Sequence, residues 1–155
     1  MEESMVVFGI FWGSILFVLV LMGIVCVLYG ISHAKALKAL GYDRPWMVWI
    51  PFANFWALAE VALDGEENIV FFDSFSVPAT LFKLWWLIVY GVSMVPVVGA
   101  ILNIAIRVIC LGTCYAKMYA RLDGKTEAET QALGYVSGFF PVIAVFKFLL
   151  GHYHA

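Results

Sequence analysis

The chain has 155 residues, of which 64% are hydrophobic and 13% are charged, so its length allows one domain. A water-soluble domain of this size cannot bury so much apolar surface, because small domains leave a large share of their area in water. A net charge of −2 argues against a nucleic-acid partner, which needs a basic patch. We therefore predict an all-α integral membrane protein that forms one transmembrane domain over residues 1–155.

The first apolar segment, residues 5–31, carries no charge and is long enough to cross about 30 Å of hydrocarbon. Two acidic residues precede it, and it is longer than the apolar part of a signal peptide, so we predict that it is retained as a span. Gly9 and Gly13 lie on one face of this helix and permit close helix packing, either within the chain or between chains.

Two shorter elements follow the first span. Residues 32–41, SHAKALKALG, have apolar residues at helical spacing opposite two lysines, which predicts a short amphipathic helix at the membrane interface. Residues 46–63 are apolar but contain Pro51, which removes a backbone donor and clashes with the preceding turn. We predict that this segment is a Pro-broken element that re-enters the membrane or lies at its interface.

An acidic loop over residues 64–76, which includes Asp73, separates these elements from three further predicted spans at residues 79–95, 100–119 and 131–150. Pro96 and Pro141 fall at apolar breaks in this half of the chain, and each follows the previous proline of the series from Pro51 by 45 residues. The last span carries a second pair of small residues, Gly134 and Gly138, which also suits helix packing.

The basic residues favour a particular orientation. If all five apolar segments crossed the bilayer, the basic residues near 35–44 would lie on the opposite side from those near 117–125, which the positive-inside rule disfavours. If residues 46–63 return on the side where they enter, these basic residues and Lys83 gather on the cytoplasmic face. We therefore predict about four transmembrane helices in the bacterial inner membrane, with both termini outside.

The segment PWMVWIPFAN, with Gly41 and Pro45 leading to it, contains Trp46, Ile50, Pro51, Phe52 and Asn54 in the pattern W-x-x-x-I-P-F-x-N. This pattern resembles the W-x-x-x-I-P-F/Y-x-N signature of a family of small, uncharacterised bacterial polytopic membrane proteins. The Pro96 and Pro141 regions are similar to the later, proline-containing helices of that family. The resemblance implies a multi-pass architecture, and it implies no activity because the family has no known function.

Four polar residues within apolar segments form the candidate site: Glu60, Arg107, Asn54 and Asn103. Arg107 is near the middle of its helix, where a charge needs a partner or a water-filled cavity, so we predict a Glu60–Arg107 ion pair. The pair has two readings: part of an ion or substrate path, or an internal pair that fixes helix register. The asparagines could coordinate a polar solute or hydrogen-bond across helices.

No catalytic residue, cofactor or metal is predicted. The sequence contains no recognised catalytic motif. Cys110 and Cys114 are interpreted as small core residues, and His33 is placed at the interface beside a lysine. His152 and His154 on a short tail make a poor metal site.

The sequence favours a non-enzymatic partner or scaffold subunit in the membrane, bound to another membrane protein. The alternative is a small homo-oligomeric transporter or channel. A transporter should line one cavity with all four polar residues of the candidate site. A scaffold should bury them within its own bundle and leave an apolar face open at Gly9 and Gly13 or at Gly134 and Gly138.

Overall fold

The computed structural model describes residues 2–72 and 74–153, most of which are helical. The elements in chain order are α1 (Glu2–Ala39), a 3-10 helix (Pro45–Trp49), α2 (Ala53–Leu63), β1 (Asn68–Phe71), β2 (Phe75–Pro78), α3 (Ala79–Lys83), α4 (Trp85–Val92), α5 (Val98–Asp123), α6 (Glu127–Phe139) and α7 (Pro141–Leu150). The two strands form one antiparallel hairpin, with Asn68 opposite Pro78 and Phe71 opposite Phe75.

Helix α1 joins two elements that the sequence analysis separates. The predicted span at 5–31 and the predicted amphipathic helix at 32–41 form one continuous helix to Ala39, because no proline or helix-ending glycine divides them. Only 6% of its most apolar 18-residue window is buried within the chain. From Gly30 onward the helix packs on α7 and on the 3-10 helix, where the Trp49 ring lies over Gly30.

The helix break predicted at Pro51 is present. It separates the 3-10 helix from α2, and Phe52 directly after it has a φ of 68°, a left-handed conformation that costs a bulky residue energy. Helix α2 has 11 residues and is about 16 Å long, too short to cross a bilayer by itself.

The β-hairpin replaces part of the predicted acidic loop. In β1 the side chains alternate, with Ile69 and Phe71 buried and Asn68 and Val70 exposed. An alternating pattern of only four residues cannot be distinguished from an irregular loop by sequence alone. Asp73, which falls between β1 and β2 in the sequence, lies outside the described residues.

The predicted spans at 79–95 and 131–150 are each divided into two helices. Lys83 ends α3 and Trp85 begins α4, which has only eight residues. Helix α6 ends at Phe139, and Pro141 begins α7 because proline suits the first position of a helix. Helix α7 then folds back along α5, so that Lys147 Nζ lies 2.8 Å from Asp123 Oδ2 at the end of α5.

Helices α5 and α6 form the most extensive helix pair of the fold. Gly134 lies against Ala116 and Gly112 of α5, and Gly138 lies against Gly112 and Val108. The second small-residue pair therefore packs within the chain, whereas no atom of the described residues lies within 4 Å of a Cβ built on Gly9 or Gly13.

Two of the helices, over Val7–Ala39 and Val98–Asp123, are long and apolar enough to cross a membrane. The second is 26 residues, or about 39 Å, long.

Helix α6 begins at a capping box in which the backbone N–H and hydroxyl of Thr126 donate to Glu129 Oε2.

Basic side chains join the helix ends at one end of the bundle. Lys35 Nζ donates to the carbonyl oxygens of Leu149 and Gly151, which ties the end of α1 to the end of α7. Arg121 donates to the Val61 carbonyl and pairs with Asp64 at 3.0 Å, which ties α5 to the end of α2. The opposite end of the bundle, at the α4–α5 and α6–α7 turns, exposes large apolar side chains, which are Met94, Val95, Val97, Val98, Phe139 and Phe140.

Candidate functional site

Glu60, near the end of α2, is the centre of a partly buried polar cluster. Its carboxylate accepts a 2.7 Å hydrogen bond from the Tyr42 hydroxyl and a 3.2 Å bond from Lys83 Nζ. Arg44 approaches the same carboxylate at 3.6 Å. The predicted Glu60–Arg107 pair is therefore not formed, because Glu60 finds its cations in the loop before the 3-10 helix and at the end of α3.

Charge explains how Glu60 remains ionised in this setting. Burial raises the pKa of Glu60, but the hydrogen bonds from Tyr42 and Lys83 and the charges of Lys83 and Arg44 outweigh burial, so its pKa lies below the ordinary value. Burial, together with the neighbouring Glu60 carboxylate, raises the pKa of Tyr42 to about 12. Tyr42 thus stays protonated and donates at neutral pH.

Arg107 lies elsewhere, in a cleft of about 220 Å³ between α2, α4 and α5. No hydrogen bond or ion pair of its exposed guanidinium is found within residues 2–72 and 74–153. We call this space the aromatic cleft; its lining residues are Phe52, Phe55, Trp85, Trp86, Val89, Tyr90, Ser93 and Arg107. Arg107 therefore lines a cleft whose walls are mainly aromatic, and it has no carboxylate partner among the described residues.

The two asparagines have different surroundings. Asn103 Nδ2 donates to Ser93 Oγ at 2.7 Å and to the Val89 carbonyl at 3.4 Å. These bonds join the two helices of the α4–α5 hairpin. Asn54 is at the start of α2, and its Oδ1 atom is buried without a hydrogen-bond partner among the described residues. Asn103 matches the helix-crosslinking reading of such residues.

The four predicted site residues thus lie in separate surroundings. Glu60 belongs to the Tyr42–Lys83–Arg44 cluster, and Arg107 lines the aromatic cleft. Asn103 bridges α4 and α5, whereas Asn54 is half-buried at the start of α2. Arg107 lines the aromatic cleft, and the other three residues do not line it.

His33 is a polar residue whose burial the sequence does not predict. The sequence predicts a position at the membrane interface, and the structure shows that the side chain is fully buried where α1 meets α5 and α7. Its Nδ1 lies 2.9 Å from the Tyr29 carbonyl, which assigns the proton to Nδ1, and the Tyr115 hydroxyl then donates to Nε2 at 3.0 Å. The ring also stacks on Tyr29 and meets Phe148 edge-on.

A second buried polar pair continues this junction along α5. Tyr115 stacks on Tyr119 with ring centroids 6.0 Å apart, and the Tyr119 hydroxyl donates to Ser137 Oγ of α6 at 2.9 Å. Each hydroxyl therefore has a partner on a different helix. The arrangement joins α1, α5 and α6 by satisfied hydrogen bonds, which is the form that buried polar groups take in stable cores.

The described residues contain no group of three or more His, Cys, Asp or Glu side chains that could hold a metal ion. Cys110 and Cys114 are buried free thiols, as expected for core residues, and Cys26 is exposed on α1. His154 lies outside the described residues.

In the W-x-x-x-I-P-F-x-N segment, Trp46 is exposed, whereas Trp49, three residues later, packs on α1.

Comparison with family models, curated proteins and solved structures finds no significant match for this chain. The resemblance of the W-x-x-x-I-P-F-x-N segment to uncharacterised bacterial membrane proteins therefore stays a prediction.

Proposed function

We propose that this chain is a non-enzymatic partner or scaffold subunit of a bacterial inner-membrane protein. The observation that carries the proposal is the exposure of α1, because only 6% of its most apolar 18-residue window is buried within the chain. Lipid accounts for its apolar side chains, and the open face at Gly9 and Gly13 adds a surface on which a second helix can pack closely.

Two of the four candidate polar residues support the same function. Glu60 and Asn103 are satisfied by internal partners, and neither of them lines the aromatic cleft that holds Arg107. A small homo-oligomeric transporter, the alternative, needs a shared polar path near the midplane. In this fold that path would require several copies to bring Arg107 and the other candidates together.

The proposed topology keeps the charged end of the bundle on the cytoplasmic side. Helix α1 is about 57 Å long, and Lys35 near its end contacts Gly151 after α7, so the geometry favours termini on opposite sides. The apolar turns of the α4–α5 and α6–α7 hairpins then enter hydrocarbon from the cytoplasmic side. Four complete spans, with both termini outside, would instead require each pair of short helices to cross together.

The experiment is native purification in mild detergent followed by mass spectrometry of the intact assembly. We expect a second protein in fixed stoichiometry with the wild type. The double variant Gly9→Leu/Gly13→Leu should lose it, because leucine side chains prevent close helix approach. Ser14→Leu is the matched control, since it enlarges a small α1 residue about 100° around the helix from Gly13.

Two outcomes would contradict the proposal. If the double variant retained the partner, the Gly9–Gly13 face of α1 would be excluded as the contact surface. A pure homo-oligomer of this chain, with ion or solute flux through liposomes that Arg107→Ala abolishes, would favour the transporter instead.

A further inference from the structure

An apolar groove of about 550 Å³ lies beneath the β-hairpin, between the strands, α3, α4 and α5. Its lining surface within the described chain is entirely apolar. We call it the hairpin groove; its lining residues are Phe71, Phe72, Phe75, Val77, Leu81, Phe82, Trp85, Ile88, Ile106, Ile109 and Cys110. This space takes no part in the proposed partner contact on α1.

Water is a poor occupant of the hairpin groove. A bound water needs two to four polar partners, and the walls offer none. An empty groove is also unfavourable, because the lining atoms lose their packing contacts on one side. The occupant must therefore be apolar, and it must reach a site on α5, one of the two helices able to cross the bilayer.

A smaller polar pocket of about 110 Å³ follows the groove along the same face of α5. The groove is lined by Ile109 and Cys110, and the polar pocket by Thr113, Ala116 and Lys117, which continue that face at helical spacing. Gln131 and Glu127 of α6 complete the polar pocket. The lining is apolar in the groove and becomes polar toward the charged end of the bundle. This order matches a ligand with an apolar chain and a polar head.

Phe72 stands between the two spaces and lines both. It stacks on Tyr135 of α6 with ring centroids 6.0 Å apart, and its φ of 53° is left-handed. A bulky residue with this backbone is strained, and such strain is frequent at ligand-binding positions. Its ring is positioned where the chain and the head of an amphiphile would meet.

The charges of the polar pocket restrict the head group. Lys117 is already paired with Glu66 at 2.8 Å and with Glu127 at 3.3 Å, so the pocket carries no unbalanced positive charge. An anionic head would meet two carboxylates beside one lysine. Lys117, Glu66 and Glu127 together carry one excess negative charge, which a zwitterionic head can meet with its cationic group.

We propose that the hairpin groove holds one acyl chain of a bilayer phospholipid whose head group is zwitterionic and lies in the Lys117–Gln131 pocket. The chain fills the apolar walls, and the head lies at the charged end of the bundle. The phospholipid is a bound structural ligand that stays with the protein when bulk lipid is removed.

The test uses the full-length protein, purified in mild detergent and delipidated. Native mass spectrometry counts retained phosphatidylcholine after the lipid is added back in stoichiometric amounts. The groove-filling variant is Ile88→Phe, and the matched control is Leu87→Phe, the preceding residue of α4. Both residues are similarly exposed, at 43% and 47%, but only Ile88 lines the groove, so both variants should fold.

We expect one retained phosphatidylcholine for the wild type and for Leu87→Phe. Ile88→Phe should weaken its retention by roughly tenfold, the factor expected when about two methylenes are displaced from an apolar site. A photoactivatable phosphatidylcholine, with its reactive group at the end of one acyl chain, should label peptides of the hairpin and of α4 in preference to α1.

Equal retention by all three proteins, or retention by none, would overturn the proposal. Labelling that falls equally on the lipid-facing residues of α1 would also overturn it, since that pattern describes bulk lipid. Preferential retention of a free fatty acid, when it is added in the same amount as phosphatidylcholine, would contradict the phospholipid assignment.

Discussion

Single residues show how the polar side chains of a largely apolar chain are satisfied. Glu60 and His33 are both in helices rich in apolar residues, and each has partners from distant parts of the chain. Lys83 is 23 positions from Glu60, and Tyr115 is 82 positions from His33. A residue's own sequence neighbourhood therefore identified Glu60 as unusual but not its partner, and it placed His33 at the interface.

The Glu60 cluster predicts a pH dependence of stability. The folded pKa of Glu60 is lowered by its partners, so its stabilising effect is full above the unfolded value of about 4.3 and is lost as pH falls through the folded value. Lys83→Met should reduce the free energy of unfolding by about 0.5–1 kcal/mol at neutral pH, because the cluster is partly exposed. This difference should shrink below about pH 4.

Thermal unfolding in detergent, followed by circular dichroism between pH 3 and 8, measures this effect. Lys125→Met is the control, because Lys125 forms no ion pair with the described residues. A Lys83→Met loss that stays constant down to pH 3 would mean that Lys83 acts through packing over Trp56 and not through the Glu60 charge.

At the scale of elements, small residues and prolines decide how the helices divide and pack. Pro51, Pro96 and Pro141 each mark a boundary between elements, as the sequence predicts, because proline lacks a backbone donor. The division at Leu84 has no proline or glycine and was not predictable from local residues. Glycine pairs predicted packing faces, but only the fold shows that Gly134 and Gly138 are used within the chain.

Gly138→Ala tests the α5–α6 contact. An added Cβ would lie 2.7 Å from the Gly112 nitrogen and from the Val108 carbonyl oxygen, so the helices must move apart. We expect the free energy of unfolding to fall by about 1–3 kcal/mol, as overpacking usually costs.

Gly9→Ala is the matched control for this substitution. It also places a methyl group in a helix, but none of the described atoms lies within 4 Å of that position, so no loss of stability is expected. Equal unfolding temperatures for the two variants in detergent would show that α6 can shift without cost, contrary to the close packing described.

At the scale of the whole molecule, the folding back of α7 decides where the C-terminal region lies. Lys147 reaches Asp123, and Lys35 reaches Gly151, so the ends of α1, α5 and α7 meet. The sequence predicts one span over residues 131–150, because a hydropathy pattern records length and apolarity but not a reversal of direction at Pro141.

Labelling of single cysteines tests the resulting topology. In a background without Cys26, Cys110 and Cys114, a membrane-impermeant maleimide should label Lys38→Cys and His152→Cys from the same side of intact membranes. An epitope placed before Met1 should be accessible from the opposite side. Accessibility of the epitope and His152→Cys on one side would restore the arrangement with both termini outside.

The sequence alone determined that this is a mostly helical protein with helices suited to a membrane, and where prolines break them. These properties are local, because hydropathy, helix length and the missing proline donor act within a few turns of the chain. Tertiary structure decided the partners of Glu60 and His33, the isolation of Arg107, the hairpin groove and the return of α7. Each of these depends on contacts between residues far apart in the chain, which no local pattern specifies.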